Sequence, residues 1–163
     1  MPTDVEVRVM QLLSAIEVPS NAAELIEELG TEAVTVACEV ALGSYPGVRL
    51  KVRTNAAAVV GRMTHPQARE TLAMLVTDEN PRVALRALRA AGRRQDDTLV
   101  GEIATVLRRA TTDQFTANEA IRALRAIGSP AALRELDEYA GASPEGLPHR
   151  SSALVQHALR KAP

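Results

Sequence analysis

Aromatic residues and cysteine are nearly absent from this 163-residue sequence, which has no Trp, two Tyr, one Phe and one Cys. The single cysteine, Cys38, excludes an intramolecular disulfide. No window approaches the roughly 18 consecutive apolar residues that a membrane span needs. The residues after Met1 also lack the positive start and apolar run of a signal peptide. We therefore expect a soluble cytoplasmic protein.

A strong overall charge is also lacking. The formal net charge is -1 and 24% of the residues are charged, which excludes a disordered polyelectrolyte and a generally basic nucleic-acid binder. The charges are nevertheless unevenly distributed along the chain. Residues 1–47 carry one basic and eight acidic side chains, residues 48–94 carry ten and three, and residues 95–163 carry eight and nine. The near-neutral net charge therefore conceals a separation of acidic and basic residues along the chain.

Alanine is abundant, with 28 copies within a hydrophobic fraction of 46%. The chain length and apolar fraction suit one folded domain with a buried core. Alanine has the highest intrinsic helix propensity, and its small side chain lets helices approach closely. The composition therefore predicts an all-α protein.

A repeated segment organises the chain. Four stretches end in glycine, at Gly30, Gly61, Gly92 and Gly128, with spacings of 31, 31 and 36 residues, and a fifth copy occupies 154–163. Each stretch predicts a helix whose glycine adopts the left-handed conformation at the C-terminal cap. A second amphipathic stretch follows each glycine. Each unit is therefore predicted to contain two helices, as in repeat arrays.

Local signals mark the start of two helices and the contacts between successive ones. Asn80-Pro81 places a capping side chain before a proline at the first helical position, and Thr116 to Glu119 has the spacing of a capping box. A small residue also recurs in one register of the first helix of each pair, which predicts close packing in a stack. That register contains Ala56, Ala87, Ala123 and Ala158, with Leu25 in the first copy.

We expect one domain over residues 1–163. An N-terminal capping helix is predicted within 1–18, the helical pairs over 20–141, and a C-terminal helix over 147–163. The terminal units of a solenoid need such caps because their outer faces have no neighbouring repeat.

Two segments carry a family resemblance. Residues 46–61 contain Pro-Gly, then Val-Arg, a central Ala and a final Val-Gly, and residues 80–92 contain Asn-Pro-Arg-Val, a central Ala and a final Ala-Gly. These segments resemble the "NPxVRxxAxxxLG" signature of HEAT-like repeats, in the short bacterial form also found in phycobilisome lyase subunits. The resemblance implies an α-α superhelix, a HEAT-like solenoid of about four helical pairs. It also implies, as an alternative function, a bilin lyase subunit or chaperone for phycobiliproteins.

The sequence contains no constellation that predicts catalysis, a cofactor or a metal site. His65, His149 and His157 are scattered, and no Cys or carboxylate stands at zinc-ligand spacing. We expect Cys38 to be a buried small residue within an apolar helix. His65, which precedes a proline, is expected at a helix start. A non-enzymatic protein is therefore predicted.

Arginines form a stripe along the first helices. Two arginines of the fourth copy, Arg122 and Arg125, occupy the repeat positions of Arg86 and Arg89. Seven arginines are predicted on the exposed side of the first helices: Arg82, Arg86, Arg89, Arg93, Arg122, Arg125 and Arg160. In a HEAT-like stack this stripe would form a basic ridge on the convex side. It is either a solvated face whose arginines pair locally with acids, or a contact surface for an acidic protein or nucleic-acid phosphate.

The second helices are expected to line the concave side, which is the usual binding surface of this architecture. The predicted solvent-facing positions are Thr35, Glu39, Glu70, Met74, Glu102, Thr105, Glu135 and Glu138. This set is acidic and would suit a basic or mixed-charge helix or peptide. The leading hypothesis is a non-enzymatic protein–protein interaction module, an adaptor or scaffold. The alternatives are the bilin-lyase role and nucleic-acid binding through the arginine ridge.

Overall fold

A computed structural model describes residues 1–109, 112–141 and 160. The chain divides into two compact units, Met1–Leu75 and Val76–Pro163, which are described separately. The described residues are helical or in turns and loops, without strands, so the all-α prediction is confirmed. The predicted C-terminal helix over 147–163 and the fifth repeat copy lie outside the described residues, except for Arg160. The prediction of one domain stays a prediction.

The first unit is built around α3. Its helices are α1 (Asp4–Ser14), α2 (Ala22–Glu28), α3 (Thr31–Leu42), α4 (Leu50–Val60) and α5 (Pro66–Val76), the last of which ends one residue beyond the unit. α3 packs against α1, α2 and α4. It can do so because seven of its twelve residues are buried, which leaves little of the helix facing solvent.

A capping box starts α1 within the predicted N-terminal region 1–18. The backbone N–H of Glu6 donates to Thr3 Oγ1 at 3.1 Å, and the backbone N–H of Thr3 donates to Glu6 Oε2 at 2.5 Å. This reciprocal pair satisfies two of the free N–H groups at the helix start. Val9 and Leu13 are the buried residues of α1, and they anchor it to the rest of the unit.

The second unit contains two stacked helical pairs. It comprises α6 (Pro81–Arg94), a short 3-10 helix (Asp97–Leu99), α7 (Val100–Arg108), α8 (Gln114–Ile127) and α9 (Pro130–Gly141). α6 packs against α8 and α7 packs against α9, so first helices contact first helices and second helices contact second helices. This pattern is that of successive two-helix repeats, as the sequence predicted.

One of the two predicted helix starts is confirmed and the other is wrong. Asn80 caps α6, since its side chain accepts from the backbone N–H of Arg82 at 3.1 Å, and Pro81 follows it. α8 does not begin with a capping box at Thr116. Its cap is Asp113, which accepts from the backbone N–H groups of Phe115 and Thr116. The helix therefore begins earlier, and Thr116 is a buried residue of its first turn.

The repeated glycines serve different purposes. Gly128 ends α8 in the left-handed conformation, with φ 65°, as predicted. Gly30 has a positive φ of 97° but precedes α3 rather than adopting the left-handed helical conformation. The prediction is wrong for Gly61, with φ -61°, and for Gly92, which lies inside α6. α6 continues past Gly92 through Arg93 and Arg94. It ends at Gln95, which adopts the left-handed conformation of the cap.

Gly92 is required for close packing instead. A Cβ atom at this position would lie 3.1 Å from the Cα atom of Ala123 and 3.6 Å from the Cβ atom of Ala126. The missing side chain therefore allows α6 and α8 to approach closely. The predicted small-residue register agrees with tight packing, since Ala56, Ala87 and Ala123 are buried. Leu25 is half-buried, and Ala158 lies outside the described residues.

Candidate interaction surfaces

The exposed side of α6 and α8 carries six arginines, here called the arginine face. α6 buries Val83, Ala87 and Ala91 and exposes four arginines on its other side. The face comprises Arg82, Arg86, Arg89, Arg93, Arg122 and Arg125, all of them exposed. Arg160 is also helical and exposed, but its predicted alignment with the other six stays a prediction because its neighbours lie outside the described residues.

A nearly buried carboxylate joins the two helices within this face. Glu119 is 9% exposed, and one of its oxygens, Oε2, lies 3.3 Å from Arg89 Nε and 3.5 Å from Arg122 Nη1. The hypothesis of local pairing is therefore correct for these two arginines. The remaining four, Arg82, Arg86, Arg93 and Arg125, make no ion pair within the described part of the chain.

Contacts between α6 and α8 define how the two helices are placed along each other. The repeat alignment gives only equivalent positions, with Arg122 and Arg125 at those of Arg86 and Arg89. In the structure Arg89 contacts Glu119, and Gln95 Nε2 donates to the carbonyl oxygen of Ala126 at 2.9 Å. The contact of Gly92 with Ala123 sets this register, because the helix surfaces come closest where Gly92 leaves room.

An exposed aromatic ring lies on the same side of α8 as Arg122. Phe115 is 79% exposed and precedes Arg122 by seven residues, which is about two helical turns. Arginine and aromatic side chains, phenylalanine included, are enriched in protein interfaces. Phe115 was not predicted from the sequence as a surface residue of α8, because the expected helix start at Thr116 left it outside the helix.

The second-helix positions of the second unit form a mixed-charge network. Arg108, near the end of α7, bonds Glu135 and lies 3.2 Å from Glu138 on α9. Glu102 is half-buried, and the exposed Thr105 hydroxyl donates to the carbonyl oxygen of Gly101. The predicted acidic character is therefore reduced here by Arg108, which the sequence analysis missed.

The four second-helix positions of the first unit differ in exposure. Thr35 on α3 is half-buried and its hydroxyl donates to Gln67 Oε1 on α5 at 3.0 Å. Glu39 and Glu70 are exposed, and Met74 is 60% exposed. Because these positions and those of α7 and α9 lie in different units, a single concave surface stays a prediction.

An apolar groove, not predicted from the sequence, separates α1 from α2 in the first unit. Its volume is about 600 Å³. α1 and α2 both pack against α3, but they make few contacts with each other. The walls are formed by Leu12 and Ala15 on one side and by Leu25 and Leu29 on the other, with Arg8 and Glu28 among the lining residues.

A second cleft, of about 540 Å³, lies beside the starts of α6 and α8. Asp78, Glu79 and Asp113 contribute carboxylates to its lining, and Arg109 donates to the carbonyl oxygen of Thr77 at 2.7 Å. Burial raises the pKa of Asp113, but hydrogen bonds from the Thr116 hydroxyl and from backbone N–H groups outweigh it, so this pKa is lowered. The carboxylate is thereby held ionised as a helix cap.

Neither cysteine nor histidine forms a reactive cluster in the described part of the chain. Cys38 is buried, as expected, and burial raises the pKa of its thiol. His65 precedes α5, where its Nδ1 accepts from the backbone N–H of Gln67 at 3.2 Å, which agrees with the predicted helix-start position. His149 and His157 lie outside the described residues. Among the described residues no three metal-ligating side chains are grouped.

Within residues 1–109, 112–141 and 160, no helix is both long enough and apolar enough to cross a bilayer.

Comparisons with known proteins agree with this architecture. The family model described as HEAT repeats matches residues 71–155, which is more than half of the chain. A solved structure of human deoxyhypusine hydroxylase in complex with glycerol is similar over 96% of this chain and 62% of that chain, with a TM-score of 0.63 and 20% sequence identity. This chain therefore spans less than two thirds of that hydroxylase chain, and the likeness is one of fold. Curated proteins gave no match.

Proposed function

The chain belongs to the HEAT-repeat family, and from that premise we propose that it is a non-enzymatic cytoplasmic adaptor whose arginine face binds an acidic segment of a partner protein. HEAT repeats generally mediate protein interactions, and solenoids of this kind present extended surfaces for them. The likeness to an enzyme concerns the fold, and function depends on the residues of the site. The bilin-lyase alternative rests on the sequence resemblance alone.

The observation that supports this proposal is the set of four exposed arginines without a carboxylate partner among the described residues. Arg82 and Arg86 lie one turn apart on α6, and Arg93 and Arg125 are exposed near the other end of the two helices. Like charges at this spacing repel one another on a helix surface. A partner that brings carboxylates would relieve the repulsion and form bidentate guanidinium–carboxylate pairs.

Glu119 illustrates the chemistry within the molecule itself. One carboxylate lies within ion-pair distance of guanidinium groups from both helices, Arg89 on α6 and Arg122 on α8. A partner carboxylate could be held in the same way by the unpaired arginines. The exposed ring of Phe115 would contact an apolar side chain of the partner segment, so a suitable segment combines acidic residues with at least one apolar residue.

An acidic protein segment fits this face better than nucleic acid does. Residues 76–163 carry 13 basic and 11 acidic side chains, and residues 1–75 carry six and nine, so neither unit has the strongly positive field that attracts a polyanion over a long range. The attraction is therefore local, and it matches a short run of carboxylates. Nucleic-acid binding is tested as the competing outcome.

Affinity capture from extracts of the source cells tests the proposal. Wild-type protein, Arg86→Glu and Phe115→Ala are compared with Arg134→Glu, a matched control on the exposed side of α9 in the same unit. We expect the wild type and the control to recover the same protein after nuclease treatment, with affinity reduced about tenfold or more by Arg86→Glu and Phe115→Ala. Equal recovery by all four proteins, or bound material that nuclease removes, would contradict the proposal.

A further inference from the structure

We propose that the groove between α1 and α2 binds a basic amphipathic helix of a partner protein, at a surface separate from the arginine face. The groove arises because α1 and α2 rest side by side on α3 without packing closely against each other. Two half-buried leucines, Leu25 of α2 and Leu29 at its C-terminal cap, thus face Leu12 and Ala15 across the groove. An amphipathic helix lying between two such walls is a common form of peptide recognition.

The dimensions of the groove define the length of the occupant. On the α1 wall the lining extends from Arg8 to Ala15, a span of eight residues whose seven steps correspond to about 10 Å or two helical turns. On the α2 wall, Leu25 and Leu29 are one turn apart and share a side of the helix. A bound helix would therefore insert apolar side chains at positions i, i+3 or i+4, and i+7. Ile16, which is 88% exposed next to the groove, would extend the apolar contact.

Charge determines which amphipathic helix fits. Glu24 and Glu28 lie one turn apart on the exposed side of α2, beside Leu25 and Leu29, and Glu28 lines the groove. Residues 1–47 contain eight acidic side chains against a single basic one, Arg8. Lysine or arginine residues flanking the apolar side of the occupant would therefore be attracted to the α2 wall. Arg8 lies on the α1 wall and would repel them there. The basic side chains of the occupant should therefore face α2 and not α1.

A second copy of this chain fits the groove poorly. A symmetric dimer through α1 and α2 would place two copies of this acidic region against each other, and like charges across an interface oppose association. The charge argument therefore favours a different, basic protein. Self-association remains an outcome that the experiment distinguishes.

Fluorescence anisotropy with synthetic helical peptides tests the proposal on the full chain. The probe is a labelled peptide of about 14 residues, or four turns, with leucines at i, i+4, i+7 and i+11 and lysines beside them. A second peptide has glutamates in place of the lysines. We expect the basic peptide to bind at least about tenfold more tightly than the acidic one, a difference of about 1.4 kcal/mol.

Substitutions on the two walls should act in opposite directions. Glu24→Lys combined with Glu28→Lys is expected to weaken binding of the basic peptide about tenfold or more, whereas Arg8→Gln is expected to strengthen it. A second double variant, Glu39→Lys with Glu70→Lys, changes the same net charge at exposed positions of the predicted second-helix surface in the same unit, outside the groove. It should leave binding nearly unchanged, because the groove and not the second-helix surface holds the peptide. Circular dichroism of every variant verifies that the helices are intact.

Three results would overturn the proposal. They are absence of binding up to millimolar peptide, equal loss of binding in the Glu39/Glu70 control, and a concentration-dependent dimer that Glu24→Lys with Glu28→Lys stabilises. The groove and the arginine face are separate sites. Arg86→Glu should therefore leave binding of this peptide intact.

Discussion

The contact between Gly92 and α8 allows a quantitative test of how the two first helices pack. Replacing Gly92 by alanine in a helix interior should gain about 1 kcal/mol of helix propensity. The added Cβ would lie 3.1 Å from the Cα atom of Ala123, however, well inside the carbon–carbon contact distance of about 3.5–4.0 Å. Overpacking of this kind typically costs about 1–3 kcal/mol. We therefore expect Gly92→Ala to be close to neutral or destabilising by up to about 2 kcal/mol.

A larger side chain at position 92 should cause a larger loss of stability. Gly92→Val adds two further methyl groups in the direction of Ala123 and Ala126, and we expect it to lower the free energy of unfolding by about 3 kcal/mol or more. Gly101 supplies the matched control, because it is an exposed residue of α7 with no atom within 4 Å of an added Cβ. Gly101→Ala should stabilise the protein by up to about 1 kcal/mol, and Gly101→Val should be nearly neutral.

Urea denaturation followed by far-UV circular dichroism measures all four variants. The expected order of stability places both Gly101 variants above both Gly92 variants. If Gly92→Ala and Gly92→Val stabilised the protein as much as the Gly101 substitutions do, the close approach of α6 and α8 would be refuted. The register that places Arg89 beside Glu119 would then lose its structural basis.

Ala87→Arg should destabilise the protein by about 3 kcal/mol or more, because it places a charge at a buried helix contact, and an unchanged melting temperature would contradict the small-residue register. Hydrogen bonds lower the pKa of Asp113 in the folded state, so its contribution to stability should be present above its ordinary pKa and lost as the pH falls through the lowered value. The free energy of unfolding of Asp113→Asn, measured across an acid titration, should therefore depend less on pH than that of the wild type. Identical curves would exclude the capping role. Glu119→Gln should cost about 1–3 kcal/mol in thermal stability, because it removes a nearly buried charge that pairs with Arg89 and Arg122. It should also increase affinity for the acidic partner by freeing these two arginines, whereas reduced affinity in an intact fold would show that Glu119 itself contacts the partner.

Helical periodicity and composition were sufficient to predict the fold class. The alternation of apolar and charged positions in 81–94 specified both the buried side of α6 and its exposed arginines. Asn80-Pro81 specified where that helix begins, since the cap and the proline act locally. The stacking of first helices on first helices followed from the recurrence of Ala87 and Ala123 in one register.

The errors arose where tertiary contacts or competing local signals decide the outcome. Thr116 had a suitable capping partner, but Asp113 offers two hydrogen-bond acceptors three residues earlier and moves the start of α8. Gly92 was interpreted through backbone conformation, whereas its role is to admit Ala123, a contact between residues far apart in sequence.

The candidate surfaces were predicted to different extents for the same reason. Exposure of the arginines depends on one helix and could be read from its periodicity. The pairing of Arg89 with Glu119 depends on the register between two helices, and the bonding of Arg108 to Glu135 depends on α7 and α9 lying side by side. The α1–α2 groove depends on both helices packing against α3, which no local pattern specifies.

Photo-cross-linking at position 115 tests the central claim most directly. Phe115 is replaced by benzoylphenylalanine, and the protein is irradiated in extracts of the source cells, with the same substitution at Arg134, an exposed position of α9 outside the arginine face, as the control. The proposed function predicts a protein adduct at position 115 whose linked peptide is rich in Asp and Glu, and loss of that adduct with Arg86→Glu. A nucleic-acid adduct at this position, or a protein adduct that Arg86→Glu leaves intact, would contradict the account.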